Sequence, residues 1–378
     1  MANQRIWLSS PTMHGEEMGY IKEAFDKNWV APLGFNCDGF EQEMIAYLND
    51  ADEHYALALT SGTSAIHLAL KLAGVKAGDV VLCTDLTFAA TINPITYEGS
   101  TPVFVDSERE SWNMDPKALE KAFEKYPTAK VVVLAHLYGA PAKMDEILAI
   151  CEKHGAVVVE DAAEALSATY KGKQCGTFGK YGIFSFNGNK IITTSGGGML
   201  ITETNADRQK ALFWATQARE NAPWYQHEEI GYNYRMSNIV AGIGRGQLLH
   251  LEEHRDAKEK IYKRYEEGLK ELPISMNPYL AESNPNFWLS CMTIDEGCDV
   301  KFMDILQRLA EENMEGRPIW KPMHMQPVFA ENDFIAVSEK PVSEDIFARG
   351  LCLPSDIKMT EEEQDRVIEL IKTCFEGK

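Results

Sequence analysis

The stretch from Ala156 to Met199 carries the residues whose types and spacing could do chemistry. It opens with Ala156-Val157-Val158-Val159, small and β-branched as a buried strand requires, and ends that run abruptly in Glu160-Asp161. Further on, Ser185-Phe186-Asn187-Gly188-Asn189-Lys190 reads as a polar loop with one lysine, followed by Gly196-Gly197-Gly198. An acid at the carboxyl end of a strand and an amine on a later turn lie where open α/β sheets bind ligands. A lysine amine condenses with a carbonyl when burial and a nearby cation keep it partly neutral. A carboxylate held at a ring nitrogen keeps a proton there. The pair therefore reads as Lys190 holding pyridoxal phosphate as a Schiff base, with Asp161 on the ring nitrogen. Singly, each has a plainer explanation: a lysine in a Gly/Asn loop is commonly a solvated surface residue, and a strand-end aspartate commonly caps a helix. Only the constellation carries the chemical reading.

The elements that must position these groups follow from periodicity. Residues 55–60 read as a strand, and Ser61-Gly62-Thr63-Ser64 then opens an apolar helix over 65–73. Strand, small-residue turn and helix start can offer free backbone N–H groups to a phosphate, or form a simple cap at Ser61 or Thr63. Further strands are expected at 80–84, 102–106, 131–137, 156–161, 182–186 and 198–202, with helices at 116–125 and 144–154. Phe88 and His136 each sit near a strand's carboxyl end, on the ligand side, though either could equally fill the core. The pattern predicts an α/β fold with a mostly parallel seven-stranded sheet covered by helices. After a helix at 206–220, the aromatic segment Gly231 to Asn238 has no period and is too apolar for a plain surface loop, which suggests burial at a subunit contact. A long charged helix at about 252–269 links to a mixed α+β region with an expected strand at 286–294. The expected division is a large domain at 1–250 and a small C-terminal domain at 251–378.

Composition narrows the function. The 378 residues carry a formal charge of −20, which argues against nucleic-acid binding but not against a small anionic substrate held by a local cluster. Eight cysteines without CxxC or Cys/His ligand spacing read as reduced thiols of a cytoplasmic protein, with no metal site. No apolar run approaches membrane-spanning length, and residues 1–20 lack a signal-peptide core.

With these motifs in order, the chain resembles the sugar aminotransferases of the DegT/DnrJ/EryC1/StrS family, which are fold-type I pyridoxal phosphate enzymes. The resemblance runs from Asn28-Trp29-Val30-Ala31-Pro32-Leu33-Gly34, through Ser61-Gly62-Thr63, Glu160-Asp161-Ala162-Ala163-Glu164 and the lysine loop, to Gly231-Tyr232-Asn233-Tyr234-Arg235 and Leu351-Cys352-Leu353-Pro354. Two segments, Asn187 to Gly198 and Thr216 to Asn221, are most similar to the subgroup that aminates C4 of a UDP-linked 4-keto-6-deoxy-N-acetylhexosamine, making the bacillosamine precursor. The chain departs from many relatives at Glu164, where they carry Gln, and at Ser195-Gly196-Gly197-Gly198, where they carry Gly-Glu-Gly-Gly. Ser167 replaces the subgroup's usual Gly.

The resemblance implies that Lys190 forms the Schiff base and moves the proton, while Asp161 pairs with the pyridinium nitrogen. It implies that Gly62, Thr63 and Ser185 hold the cofactor phosphate, Phe88 stacks on the ring, and Glu164 lies near O3′. Asn233 would reach the phosphate of the neighbouring subunit's cofactor, making the active site a property of a homodimer. Arg235, Arg317 and Lys321 are candidates for the nucleotide phosphates or the donor carboxylate, and His324 and Trp29 for the sugar pocket. Glutamate is the implied amino donor. Rival readings are a dehydratase of the same family, which would carry His in place of Lys190, and a non-catalytic pyridoxal phosphate-binding regulator, which would lose Lys190 or Asp161. An NAD-binding protein would need GxGxxG after the first strand, where this chain has Ser61-Gly62-Thr63-Ser64.

Overall fold

The computed structural model describes residues 4–48 and 54–376. Its main sheet contains β1 (Tyr55–Leu59), β2 (Val80–Thr84), β3 (Thr101–Val105), β4 (Val131–Ala135), β5 (Val157–Asp161), β6 (Tyr181–Ser185) and β7 (Gly198–Thr202). The order across the sheet is β1-β7-β6-β5-β4-β2-β3, with Phe334–Ile335 added beyond β3. From β6 to that added strand all pairs are parallel, whereas β7 runs antiparallel to both β6 and β1. The mostly parallel sheet is as expected, but it has eight strands instead of seven. Two residues cannot show an alternating pattern, so periodicity is blind to Phe334–Ile335. The pairing is made by the backbone, the amides of Phe104 and Asp106 donating to the carbonyls of Asp333 and Ile335.

Both faces of the sheet are covered, which is why its strands are nearly continuous apolar runs. Alternate residues Val81, Cys83, Val131, Val133 and Val159 pack with the helix Gly62–Leu72. Their neighbours Leu82, Val132, Leu134 and Val158 pack on the other face with the helices Pro116–Lys125 and Met144–His154. The strand period of two thus sends consecutive residues to opposite layers.

Beyond the helix Leu251–Leu269, a four-stranded antiparallel sheet combines Ile274–Met276, Cys291–Ile294, Gly350–Cys352 and Arg317–Pro318. Its core joins Tyr265, Leu309, Leu351, Val367 and Ile371, and it also takes in Ile6 from the N-terminal arm. The strand expected over 286–294 begins only at Cys291. Phe287 adopts a left-handed φ of 55°, and the Asn286 side chain bonds to the carbonyls of Glu164 and Leu166. Those bonds pull residues 286–290 out of the strand and press them against the large sheet's carboxyl edge. The helix expected over 206–220 ends at Ala215, because Gln217 and Ala218 both take positive φ.

Candidate active site

The carboxyl ends of the parallel strands open into a cavity of about 390 Å³. Gly62, Thr63, Phe88, Asp161, Glu164, Ser185 and Lys190 all line it, though they come from four separate stretches of chain. Asp161 ends β5, between Ala135 of β4 and Ile183 of β6. It is only 6% exposed. Its Oδ2 accepts from Thr91 Oγ1 at 2.7 Å and its Oδ1 from the amide of Ala163 at 3.0 Å. Burial pushes its carboxyl above the ordinary range, against the hydrogen bonds from Thr91 and Ala163 and the charge of Lys190. A cation placed beside it would relieve that penalty.

Lys190 approaches from the loop after β6. Its Nζ lies 3.5 Å from Glu164 Oε1 and 4.1 Å from the centre of the Trp288 ring. Glu164 is fixed from behind by the Tyr138 amide, which donates to Oε2 at 2.8 Å. Burial raises the Glu164 carboxyl as well, against the charge of Lys190 and that amide.

At the opposite end stands the N-terminus of the helix Gly62–Leu72. Ser61 is its N-cap, accepting from the Ser64 amide at 3.0 Å, and the Ser64 hydroxyl oxygen in turn accepts from the Ser61 amide at 3.2 Å. This capping box is the cap reading of the turn, and it engages the amides of Ser61 and Ser64 while leaving those of Gly62 and Thr63 available to an anion. Gly198 makes the approach possible, since a Cβ there would lie 2.2 Å from the Ser61 carbonyl carbon. A Cβ on Gly62 would meet that of Ser185 at 3.1 Å. A helix terminus at one end, a buried acid at the other and an amine between them fit pyridoxal phosphate. Gly62, Thr63 and Ser185 would hold its phosphate, Asp161 its ring nitrogen and Lys190 its aldehyde carbon.

Glu160, one residue before Asp161, points to the other face and is wholly buried. It accepts from His136 Nε2 and from the amides of Gly176, Phe178 and Gly179. His136 is therefore a buried partner of Glu160 and does not line the cavity. Burial alone would raise the Glu160 carboxyl, but the bonds from His136, Gly179 and Gly176 hold it below the ordinary 4.5. A carboxylate whose folded value is depressed stabilises above its unfolded value and loses that contribution as pH falls through the folded one. Glu160→Gln is accordingly expected to cost about 3 kcal/mol at neutral pH. The gap to the parent protein should narrow below about pH 4.5 in urea unfolding followed across pH.

The candidates for substrate contact fare differently. Arg235 does not face the cavity: it is 6% exposed, its guanidinium pairs with Glu41, and Nη1 also donates to the Ala58 carbonyl at 2.8 Å. Glu41 is shared with Arg208 at 2.6 Å and with the Ala58 amide at 2.8 Å. The expectation that Arg235 binds phosphate or carboxylate therefore finds it outside the cavity of Lys190: its Nη1 is taken up by Glu41 and the Ala58 carbonyl, and the residue borders a separate groove with Trp29. Arg235→Ala is expected to lose about 2–3 kcal/mol of stability in urea unfolding, with turnover per folded molecule retained.

His324 is also engaged. Its Nδ1 lies 2.8 Å from Asp85 Oδ2, its Nε2 faces Glu344 at 3.3 Å, and its ring stacks on Phe334. Within this chain it anchors the 322–324 loop to the end of β2 instead of lining the pocket. Arg317 is exposed and pairs with Glu315 at 2.7 Å. Trp29 is 44% exposed and lines a separate groove that includes Arg208 and Arg235. Asn233 is exposed and forms a bridge with Thr216. Lys321 is half-buried on the loop beside Trp320. Neither Lys321 nor Asn233 lines the cavity.

Thr91, Tyr138, Trp288 and Trp320 escaped the sequence reading. Trp288 and Trp320 line the cavity, and Tyr138 sits behind them with ring centres 6.3 and 6.0 Å away. The left-handed φ of 51° at Tyr138, in a Tyr-Gly pair just after a strand, had no sequence signal beyond the adjacent glycine.

Fold and site together define a pyridoxal phosphate-dependent aminotransferase. The chain belongs to the DegT/DnrJ/EryC1/StrS aminotransferase family, whose model matches residues 11–372. It is 51% identical over 379 residues to EpsN of Bacillus subtilis (strain 168), whose name describes a pyridoxal phosphate-dependent aminotransferase; the match covers 99% of this chain and 96% of EpsN. It is 36% identical to the GDP-perosamine synthase of Caulobacter vibrioides, over 96% of each chain. The crystal structure of a DegT DnrJ EryC1 StrS aminotransferase from Brucella abortus superimposes with a TM-score of 0.87 at 26% identity, over 96% of each chain. The protein is thus a sugar aminotransferase. Among the described residues no helix is long and apolar enough to cross a membrane.

Proposed function

We propose that the enzyme transfers an amino group from glutamate to the C4 ketone of a UDP-linked 4-keto-6-deoxy-N-acetylhexosamine, for assembly of a bacterial surface glycan. The observation that carries the amino-transfer part is the placing of Lys190, Asp161 and the free amides of Gly62 and Thr63 around one cavity. Bound pyridoxal phosphate supplies an electron sink for the carbanion that transamination needs. Asp161 holds the proton on the ring nitrogen, Phe88 flanks the ring, and Lys190 takes a proton from one carbon and returns it to another. Glutamate leaves as 2-oxoglutarate, and the keto sugar leaves as the amino sugar.

The UDP-linked substrate is supported by likeness of the segments Asn187 to Gly198 and Thr216 to Asn221 to one subgroup. A second reading, a GDP-linked keto sugar, is favoured by the relatives named GDP-perosamine synthase, at 36% and 33% identity. The test is to incubate the enzyme with glutamate and each keto sugar and to follow the products by NMR. Amination of the UDP sugar, with little turnover of the GDP sugar, is expected. Turnover of the GDP sugar alone would overturn the UDP assignment.

The same reading includes a homodimer in which Asn233 serves the partner's cofactor phosphate. Its support is the exposure of Asn233 beside the groove lined by Trp29 and Thr216. Asn233→Ala should weaken cofactor retention about tenfold without unfolding the subunit, as equilibrium dialysis of a dimer would register. A cytoplasmic location fits the eight cysteines, all free thiols. The division at 250/251 into a cofactor-binding domain and a smaller one is supported by the separate core around Tyr265 and Val367.

A further inference from the structure

We infer that Trp288 and Glu164 form a dock for the Lys190 amine, holding it beside the cofactor whenever it is not bonded to it. The inference rests on the reading that Lys190 is the cofactor-bearing lysine. In transamination that amine is released and recaptured in every cycle, so its free position matters as much as its bonded one.

The geometry has two walls. The Trp288 face is 4.1 Å from Nζ, and Glu164 Oε1 is 3.5 Å from it. An ammonium over a desolvated indole face is attracted by the ring quadrupole, and a carboxylate beside it adds a charge. Both walls are held rigid by the same residue. The Asn286 side-chain Nδ2 donates to the Glu164 carbonyl at 2.9 Å, and its Oδ1 accepts from the Trp288 backbone amide at 2.9 Å. The Trp288 indole N–H donates to the carbonyl of Asn189, the residue before the lysine, at 2.8 Å. The Tyr138 amide fixes the Glu164 carboxylate so that Oε1 faces the amine. Trp288 is 1% exposed, so its indole face is screened from water. Glu164 thereby acquires a task directed at the lysine, for which a carboxylate serves better than a neutral amide.

Acetylation of Lys190 by acetic anhydride tests the dock. The full-length protein would be studied both free of cofactor and after conversion to the pyridoxamine phosphate form with glutamate. Peptide mass spectrometry reads the rate at Lys190 against exposed Lys22 in the same digest. A docked ammonium reacts slowly. Trp288→Leu and Glu164→Gln are each expected to raise the relative rate about tenfold, and Trp288→Phe about threefold, since phenylalanine keeps a weaker aromatic face. Equal rates for the Phe and Leu variants would mean that only the indole N–H matters and would overturn the dock. So would a Glu164→Gln rate equal to that of the parent. If Trp288→Leu does not fold, the Phe and Gln variants decide alone: both faster supports the dock, either unchanged overturns it. Lysine-linked visible absorption of the parent protein is recorded beside the labelling. Its absence from the parent protein would instead defeat the cofactor reading, independently of the labelling result.

Discussion

Replacing Lys190 by alanine is expected to abolish the lysine-linked visible absorption and to lower turnover by on the order of 10⁴-fold. The side chain reaches into the cavity from the loop after β6, and among the described residues no other lysine lines it. A single amine must therefore both carry the cofactor and move the proton. No nearby side chain can take over, because the neighbouring ionisable groups are the carboxylates Asp161 and Glu164. The fold should survive, since among the described residues the Lys190 side chain contacts only Glu164 and Trp288, and the bond from its backbone N–H to the Asn187 carbonyl does not depend on the side chain. Absorption spectra of purified parent and variant, with added pyridoxal phosphate, check the first part; an unchanged band in the variant would refute the assignment. Single-turnover rates with glutamate check the second.

Asp161→Asn should leave stability within about 1 kcal/mol of the parent yet reduce turnover by about 10³-fold. The amide oxygen can still accept from Ala163, and the amide nitrogen can donate to Thr91, so the local bonds of β5 persist. What disappears is the negative charge. Burial already raises the Asp161 carboxyl, so the ionised form is costly there until a cation stands beside it. A protonated ring nitrogen is such a cation, and each group stabilises the charged form of the other. The neutral amide breaks that coupling, the ring nitrogen loses its proton, and the electron sink weakens. Urea unfolding and steady-state rates separate the two effects. A variant with full turnover would sink the role given to Asp161, and one that fails to fold would show that the acid serves structure instead.

These two residues were legible in the linear chain for a simple reason. A run of β-branched residues ending in an acid marks the carboxyl end of a buried strand, and that end is where an open parallel sheet presents ligands. The same logic marked Gly62 and Thr63, where a strand meets a helix start. The parallel sheet and its alternating helices were legible too, because strand and helix periods differ and each spans enough residues to be counted.

Arg235, His324 and Trp288 mark the limit of that logic. An arginine or histidine near a motif is chemically able to bind a phosphate or a sugar, and nothing local says whether a partner is already beside it. Glu41 neutralises Arg235 across 194 positions of chain, and Asp85 engages His324 across 239. Trp288 comes to Lys190 across nearly a hundred residues, on a segment whose backbone leaves the strand pattern at Asn286 and Phe287. Periodicity and motif thus determined which groups could react and at which end of the sheet they lie. Tertiary packing alone decided which charges were already satisfied, since that depends on contacts between segments that carry no local signal of each other.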